Sequence, residues 1–378
     1  MTMKKILAKI FLMFLKYAVV LVNQYHAYRL KDYSTAITDV RDCMPASGQN
    51  RYAIFVYYEP DGRFSKSAQN ILSELRKQSV DVLLMCNHQL SREQDEAISQ
   101  LVHKVVTREN QGFDFGAYKD GVRYLKESKI QIEKLLFLND SIYYFSTGLD
   151  VFVEGLLQSE DAIAAFENWE VPHSYHLQSF ALSVNGQVFS SEKFTSFWRD
   201  YRPVSNRLHA IERGEKQLSK AILSTAGSVQ VLYEIKDILD DFDSIRPDGD
   251  DRFLSLPLIN RKTAVSKSES AQKGNSSAMI LNTDEGEDFT KFIVANSIGI
   301  GPFSPIHSGA YYFAKLKCPV AKKDLVYRAA FDFWEVSEIF RDVFSNDEVD
   351  EFLSILRKKG TLYSLSFPKR MLANIGAL

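Results

Sequence analysis

The residues of this chain whose types and spacing could do chemistry gather in a few short stretches. Asn110-Gln111-Gly112-Phe113-Asp114-Phe115-Gly116-Ala117-Tyr118 sets one carboxylate between two glycines. Such glycines let a backbone approach a ligand closely. Asp114 stands near a helix start, where the helix dipole favours its charge. It either caps that helix or faces a ligand. Further on, the apolar run Leu135–Leu138 ends in Asn139-Asp140-Ser141. A carboxylate that closes a buried strand is costly unless it meets a cation, a hydroxyl or backbone donors. Asp140 is therefore a binding candidate, with a plain turn residue as the alternative. Three further stretches carry polar groups: His176-Leu177-Gln178-Ser179, Gly214-Glu215-Lys216-Gln217-Leu218-Ser219, and Pro305-Ile306-His307-Ser308-Gly309.

Strands and helices in alternation must position these groups. Tyr52–Tyr58 is a continuous β-prone run, closed by the turn Glu59-Pro60-Asp61-Gly62. Ala68, Ile71, Leu72 and Leu75 recur at helical spacing. Asp81–Asn87 reads as a second strand, and Ser91 with Gln94 as a capping box that opens a helix. His103–Thr107 is a third strand, Tyr118 to Leu125 a helix, and Leu135–Leu138 a fourth strand. This βαβαβαβ order implies a mostly parallel sheet with helices on both faces. Ligands of such sheets lie beyond the carboxyl ends of the strands. Tyr58, Asn87, Asn110, Asn139 and Ser141 are candidates on that ground. The second half is less regular. A helix carries Leu149, Phe152, Val153 and Leu156, strands are expected at Ala162–Phe166 and Leu177–Val184, and a helix holds Phe194 to Tyr201. Residues 262–286, rich in Ser, Lys, Asn, Gly and Glu, read as a mobile insertion. Val349, Phe352, Leu353 and Leu356 mark a late helix.

Several function classes fall away. No GxGxxG follows the first strand, and no GxxxxGK[ST], HExxH or GxSxG occurs. The 378 residues carry a net charge of −2, with 45% hydrophobic and 25% charged residues. Such a chain is globular and has no global basic field for nucleic acid. Cys43, Cys86 and Cys318 fit neither a zinc pattern nor a disulfide scaffold. The N-terminus departs from this average. Lys4, Lys5, Lys9, Lys16, Arg29 and Lys31 meet no acidic residue before Asp32. Between Ile6 and Val22, a run of 17 residues, only Lys9 and Lys16 are not apolar. Crossing a bilayer takes about 20 mostly apolar residues, so a basic amphipathic helix lying in an anionic membrane surface is expected. A helix packed on the body of the protein is the alternative.

NQGFDFGAYKDGVRYL at 110–125, LLFLNDSIYYF at 135–145, HLQSFALSVN at 176–185 and FTSFWRDY at 194–201 resemble the rhamnan synthesis protein F family, over residues 50 to 235. Those bacterial proteins are assigned as glycosyltransferases of rhamnose-containing cell-wall polysaccharide and lipopolysaccharide synthesis. The resemblance implies a GT-A-like (Rossmann-like) mostly parallel sheet flanked by helices. It implies a hexosyltransferase that uses a nucleotide-sugar donor and a lipid-linked glycan acceptor on the cytoplasmic face of the membrane. On that analogy Tyr58, Asn87, Asn110, Gly112, Asp114, Asn139 and Ser141 bind the donor, and Asp140 stands at its diphosphate. Asp140 would act directly or through Mg2+ or Mn2+, in an acidic motif where Asn139 replaces a first Asp. A lone carboxylate makes a weak magnesium site unless substrate phosphates complete it. The family carries an acid in a similar Glu-x-x-Leu-Ser context, so Glu215 is the expected general base. A first-turn glutamate favoured by the helix dipole is the alternative. His176 and Gln178 are candidates for acceptor hydroxyls, and His307 for a phosphate or metal.

The expected organisation is a membrane-associating helix and linker at 1–48 and a glycosyltransferase domain at 49–245. A flexible insertion at 246–290 and a mostly helical C-terminal region at 291–378 would follow. The rival reading keeps the fold without catalysis, as a scaffold of a polysaccharide assembly complex.

Overall fold

The computed structural model of the protein describes residues 3–169, 175–245, 256–257, 286–299, 304–328 and 330–374. Helix α1 (Met3–Arg29) is followed by strand β1 (Ile37–Asp42). Strands and helices then alternate as expected: β2 (Arg51–Tyr57), α2 (Lys66–Lys77), β3 (Asp81–Cys86), α3 (Arg92–Ile98), β4 (Lys104–Arg108), α4 (Phe113–Glu127) and β5 (Lys134–Asn139). Next come β6 (Ile142–Tyr144), α5 (Leu149–Leu156), β7 (Ala162–Ala164), β8 (Glu167–Trp169), β9 (Tyr175–Leu177), β10 (Ala181–Asn185), α6 (Gly186–Ser190), α7 (Glu192–Asp200), β11 (Val229–Val231) and β12 (Val320–Lys322). An eight-stranded sheet runs in the order β1-β4-β3-β2-β5-β10-β7-β11. Strands β1 and β10 run against their neighbours, and the other neighbours pair in parallel. This is the mostly parallel, helix-flanked sheet expected.

The strand sequences explain the layering. In β2, Ala53, Phe55 and Tyr57 join one core with Ile71 and Leu72 of α2 and Phe152 of α5. Tyr52, Ile54 and Val56 join the other with Phe115, Tyr118 and Val122 of α4 and Trp198 of α7. A period of two with both faces buried is what a central parallel strand requires. The expected capping box is present: the Ser91 side chain accepts from Gln94 N, and Gln94 accepts from Ser91 N.

Three features differ from expectation. The single strand expected over Leu177–Val184 is split into β9 and β10, because residues 178–180 leave the ladder. Gln178 N donates to Phe166 O at 2.9 Å and Ser179 N to a Glu215 carboxylate oxygen at 2.9 Å. Strand β1 was not expected, since an antiparallel edge strand reading ITDVRD lacks a buried face. The C-terminal region is mostly helical, yet β12 fastens it to the body by pairing antiparallel with β6. Tyr143 in β6 and Phe145 just after it pack there with Phe340, Phe344 and Phe352 in a third core. The 246–290 insertion lies outside the described residues, apart from 256–257 and the start of a helix over Gly286–Gly299.

One buried ion pair ties the sheet edge together. Arg108 Nε donates to Asp120 Oδ2 at 2.9 Å, with both side chains at 0% exposure. Its other nitrogens reach Asn87 Oδ1 at 2.5 Å and Gln111 O at 2.8 Å. Asp120 also accepts from Tyr33 Oη and Ala36 N, which anchors the chain before β1. Removing one partner of such a pair strands the other charge. Arg108→Ala is therefore expected to cost about 3–5 kcal/mol of stability, measured by denaturant unfolding. A loss below 1 kcal/mol would show that the network contributes little.

Helix α1 leans on the body near its C-terminal end, where Asn23 Nδ2 donates to Asn206 Oδ1 at 2.9 Å. Its other flank exposes Phe11, Phe14, Tyr17, Leu21 and Tyr25. The segment Ile10–Arg29, 20 residues of mean hydropathy 1.3, is long and apolar enough to cross a membrane by length and composition.

Candidate active site

The carboxyl end of β5 carries the central group. Asp140 N donates to Val56 O at 3.1 Å, and Asp140 Oδ2 accepts from Tyr58 N at 2.8 Å. One residue thus bridges the ends of β2 and β5, and its carboxyl is half-buried. Burial pushes that carboxyl up to about 7, helped by Asp114 and Glu59 and opposed by Lys323.

Asp114 is not a helix cap. The chain enters α4 through two left-handed residues, Gly112 at φ 77° and Phe113 at φ 53°. Gly112 is the N-cap and supplies no side chain. A Cβ at Gly112 would stand 2.4 Å from Pro203 Cβ, so glycine is required by contact as well as by conformation. Asp114 Oδ2 instead accepts from Asn139 Nδ2 at 2.8 Å. Burial pushes Asp114 up to about 6, with Lys322 opposing. Asn139 Oδ1 in turn accepts from Ser141 N at 3.0 Å and Ser141 Oγ at 2.6 Å. This network explains the Asn in place of an acid: an aspartate at 139 would set two carboxylates against each other.

Glu215 is a third carboxylate, near enough to Asp114 to push that carboxyl up. It ends a π-helical turn, Ala210–Glu215, that runs into the helix Lys216–Leu223. Gly214 lets this turn lie on α4, since an added Cβ would be 2.8 Å from the Phe115 ring. Glu215 Oε2 accepts from Ser179 N at 2.9 Å and Ser179 Oγ at 2.8 Å. His176 Nε2 stands 3.4 Å from Oε1, without hydrogen-bond alignment. Burial raises the Glu215 carboxyl, but His176 and the Ser179 donors outweigh it and hold the group down to about 2.

The C-terminal region completes the site. Lys322 Nζ lies 3.8 Å over the Phe180 ring and 3.4 Å from Ser141 Oγ. Burial pushes its ammonium down to about 8. Lys323 N donates to Ser141 O at 3.2 Å, and its Nζ is 3.8 Å from Glu59 Oε1. A cleft of about 330 Å³ opens here, lined by Tyr58, Asp140, Ser141, Lys323 and Lys359 among others.

Other expected residues are placed differently. Asn87 is buried and spent on Arg108, which makes it a structural group rather than a donor contact. Asn110 is exposed on its loop. The Tyr58 ring is 47% exposed and meets His88 edge-on at 5.8 Å, leaving a face for stacking. His176 is 1% exposed beneath Glu215, so it supports that carboxylate instead of touching an acceptor. Gln178 is likewise buried, with its side-chain oxygen unpaired. His307 is not placed as a metal ligand: Ser304 Oγ lies 2.8 Å from Nδ1 and Asp324 Oδ1 2.7 Å from Nε2. Among the described residues no three His, Cys, Asp or Glu side chains gather as metal ligands.

Residues 82–279 match the family model described as rhamnan synthesis protein F. The chain belongs to the rhamnan synthesis protein F family. The matched segment contains Asp114, Asn139, Asp140 and Glu215. The uncharacterized protein y4gN of Sinorhizobium fredii is 26% identical over 254 residues, 65% of this chain and 66% of that relative. The match thus spans just under two thirds of the relative's length. Among solved structures, the chain is similar to S. aureus TarS 1-349, at TM-score 0.32 and 10% identity, covering 82% and 90% of the two chains. It is similar to the mannosyltransferase PcManGT from Pyrobaculum calidifontis at TM-score 0.29 and 11% identity, covering 93% and 96%. The mannosyltransferase Ktr4p from S. cerevisiae aligns at TM-score 0.30 and 8% identity, covering 56% and 76%.

Lys322 and Lys323 stand beside this candidate site of the rhamnan synthesis protein F member and were missed by sequence reasoning. The adjacent lysines of Val320-Ala321-Lys322-Lys323 were the available signal, but their strand spans three residues and its partner lies far away in sequence.

Proposed function

We propose that the protein transfers a sugar from a nucleotide-sugar donor to a lipid-linked cell-surface polysaccharide. Rhamnose is the sugar suggested by the family's description. The observation that carries this reading is the pairing of Asp140 and Asp114 where β2, β5 and α4 meet, with Asp140 on an open cleft and Glu215 near enough to push the Asp114 carboxyl up. The carboxyl ends of parallel strands are where such sheets bind ligands. In this reading Asp140 and Asp114 orient the donor, and Glu215 takes the proton of the acceptor hydroxyl. Purified protein incubated with a panel of nucleotide sugars and membrane lipid extract should form a glycosylated lipid, detected by mass spectrometry. No product from any donor would favour the scaffold reading.

The same proposal places the protein at the cytoplasmic face of the membrane, held by α1. The exposed apolar flank of α1 would enter the interface, and its lysines would meet anionic lipid. Each lysine near an anionic surface contributes about 1 kcal/mol, and salt screens it. Full-length protein should pellet with anionic vesicles, loosen at high salt, and stay in solution once residues 1–25 are removed. Resistance to both salt and carbonate would instead indicate a spanning helix.

A further inference from the structure

The donor set around Asp140 does not fit a divalent cation. Hard cations are held by several oxygen ligands, and any carboxylate among them must be ionised. Asp140 has one oxygen on Tyr58 N, and Asp114 accepts from Asn139. Burial raises both carboxyls above the ordinary range, so a proton competes with any ion. From the C-terminal region Lys323, Lys358 and Lys359 line the cleft, and the one carboxylate there, Glu351, is engaged by Lys66 N and Tyr143 Oη.

We propose that Lys322 and Lys323 form a metal-independent clamp for the diphosphate of a substrate bound beside Asp140. The placement follows from β12. Its antiparallel register sets Lys322 opposite Ile142, one residue past the Asp140-Ser141 turn. Lys323 N then bonds Ser141 O. Successive residues of an extended segment point to opposite sides. Lys322 therefore reaches over Phe180 toward Ser141 Oγ, and Lys323 enters the cleft toward Glu59. Lys323 lines the cleft with Asp140 and Ser141, and Lys322 reaches Ser141 Oγ from over the Phe180 ring. Lys359 adds a third cation to the cleft wall. Among the described residues no carboxylate lies within ion-pair distance of Lys322. A half-buried ammonium in that position is costly to desolvate and gains most from an anion. Two adjacent cations suit a diphosphate, whose charge is spread over neighbouring phosphoryl groups.

This inference rests on the glycosyltransferase reading for the source of the diphosphate. A nucleotide-sugar donor and a lipid diphosphate share the chemistry, and the test separates them. Full-length protein is titrated calorimetrically with UDP, GDP, dTDP and geranyl diphosphate, once in EDTA and once with Mn2+. At least one nucleoside diphosphate should bind in EDTA with affinity within about threefold of that in Mn2+. Lys322→Met, which keeps the stem packed over Phe180, and Lys323→Ala should each weaken binding about tenfold to a hundredfold, the span of one charge-assisted hydrogen bond. Lys322→Arg should retain most of the affinity. If only geranyl diphosphate binds in EDTA, the clamp stands and its ligand is the lipid side. Binding that appears only with Mn2+ overturns the clamp and leaves the glycosyltransferase reading intact. Lysine variants that melt and bind like wild type also overturn it. No binding of any diphosphate in either buffer overturns both.

Discussion

Asp140→Ala is expected to lower transfer by about 10²–10³-fold or more at saturating donor, the scale for losing a preorganised polar group at a reacting centre, while the protein stays folded. The carboxylate bridges β2 and β5 through Tyr58 N, yet both strands are held independently by their parallel ladder. Its loss should cost about 1 kcal/mol for one hydrogen bond, offset by relief of a desolvated charge. The pH dependence has a definite sign. Burial raises this carboxyl from 3.8 to about 7, so between those values the native state holds a proton that the unfolded chain has released. The contribution to stability is full below the unfolded value and fades as pH rises through about 7. Asp140→Ala should remove its share of that slope and leave the share of Asp114, whose carboxyl is raised to about 6. If the ionised form is the working one, wild-type turnover should climb through the same region. Glu215, held near 2 in the native state, adds no titration to turnover there, and its own effect on stability, of opposite sign, is confined to the acidic end near its ordinary value of 4.5. Melting curves between pH 4 and 8 and single-turnover rates check both halves. Wild-type rates in Asp140→Ala would remove this residue from the mechanism.

The parts of the fold that sequence alone makes legible are those where burial imposes a period. Strand β2 alternates Tyr52, Ile54 and Val56 against Ala53, Phe55 and Tyr57, with each set in its own core. The Ser91–Gln94 box marks a helix start because its two side chains satisfy backbone N–H groups that the helix cannot. Edge and junction elements escape this logic. Strand β1 is half-exposed, and β6 and β12 are three residues each. Their pairing is a long-range event that no local pattern encodes. The site divides in the same way. Asp140 stands out because it ends an apolar run, and Glu215 through its family context. That Asp114 faces Asn139 instead of capping α4 follows from the left-handed backbone at Gly112 and Phe113, which composition does not reveal. Lys322 and Lys323 read as ordinary surface lysines until β12 sets them beside Ser141. His307 and His176 show the converse. Histidines attract functional assignment by type, yet one is held between Ser304 and Asp324 and the other is buried beneath Glu215.

Glu215→Gln is expected to reduce turnover by about 10²-fold with donor affinity unchanged. General-base catalysis contributes about 10²–10⁴-fold, and a base is most effective when its pKa lies near the working pH. Glu215 is held at about 2 by Ser179 and His176, so it is always ionised but weakly basic, which places the loss at the lower end. The substitution is close to isosteric. The amide oxygen can still accept from Ser179 N and Oγ, which keeps the break between β9 and β10 in place. Loss of a group that acts in the transition state appears in turnover more than in ground-state binding. Ser179→Ala supplies the complementary test. Removing the hydroxyl donor should raise the Glu215 pKa and make the carboxylate a stronger base. The intrinsic proton-transfer step should then quicken, or at least not slow, at pH 7. A purely structural Glu215 gives the opposite pattern: Glu215→Gln and Ser179→Ala would both lower the melting temperature, and neither would change turnover per folded molecule. Steady-state kinetics on both variants, normalised to folded protein by circular dichroism, distinguishes the two. Normal turnover in Glu215→Gln would exclude it as the base.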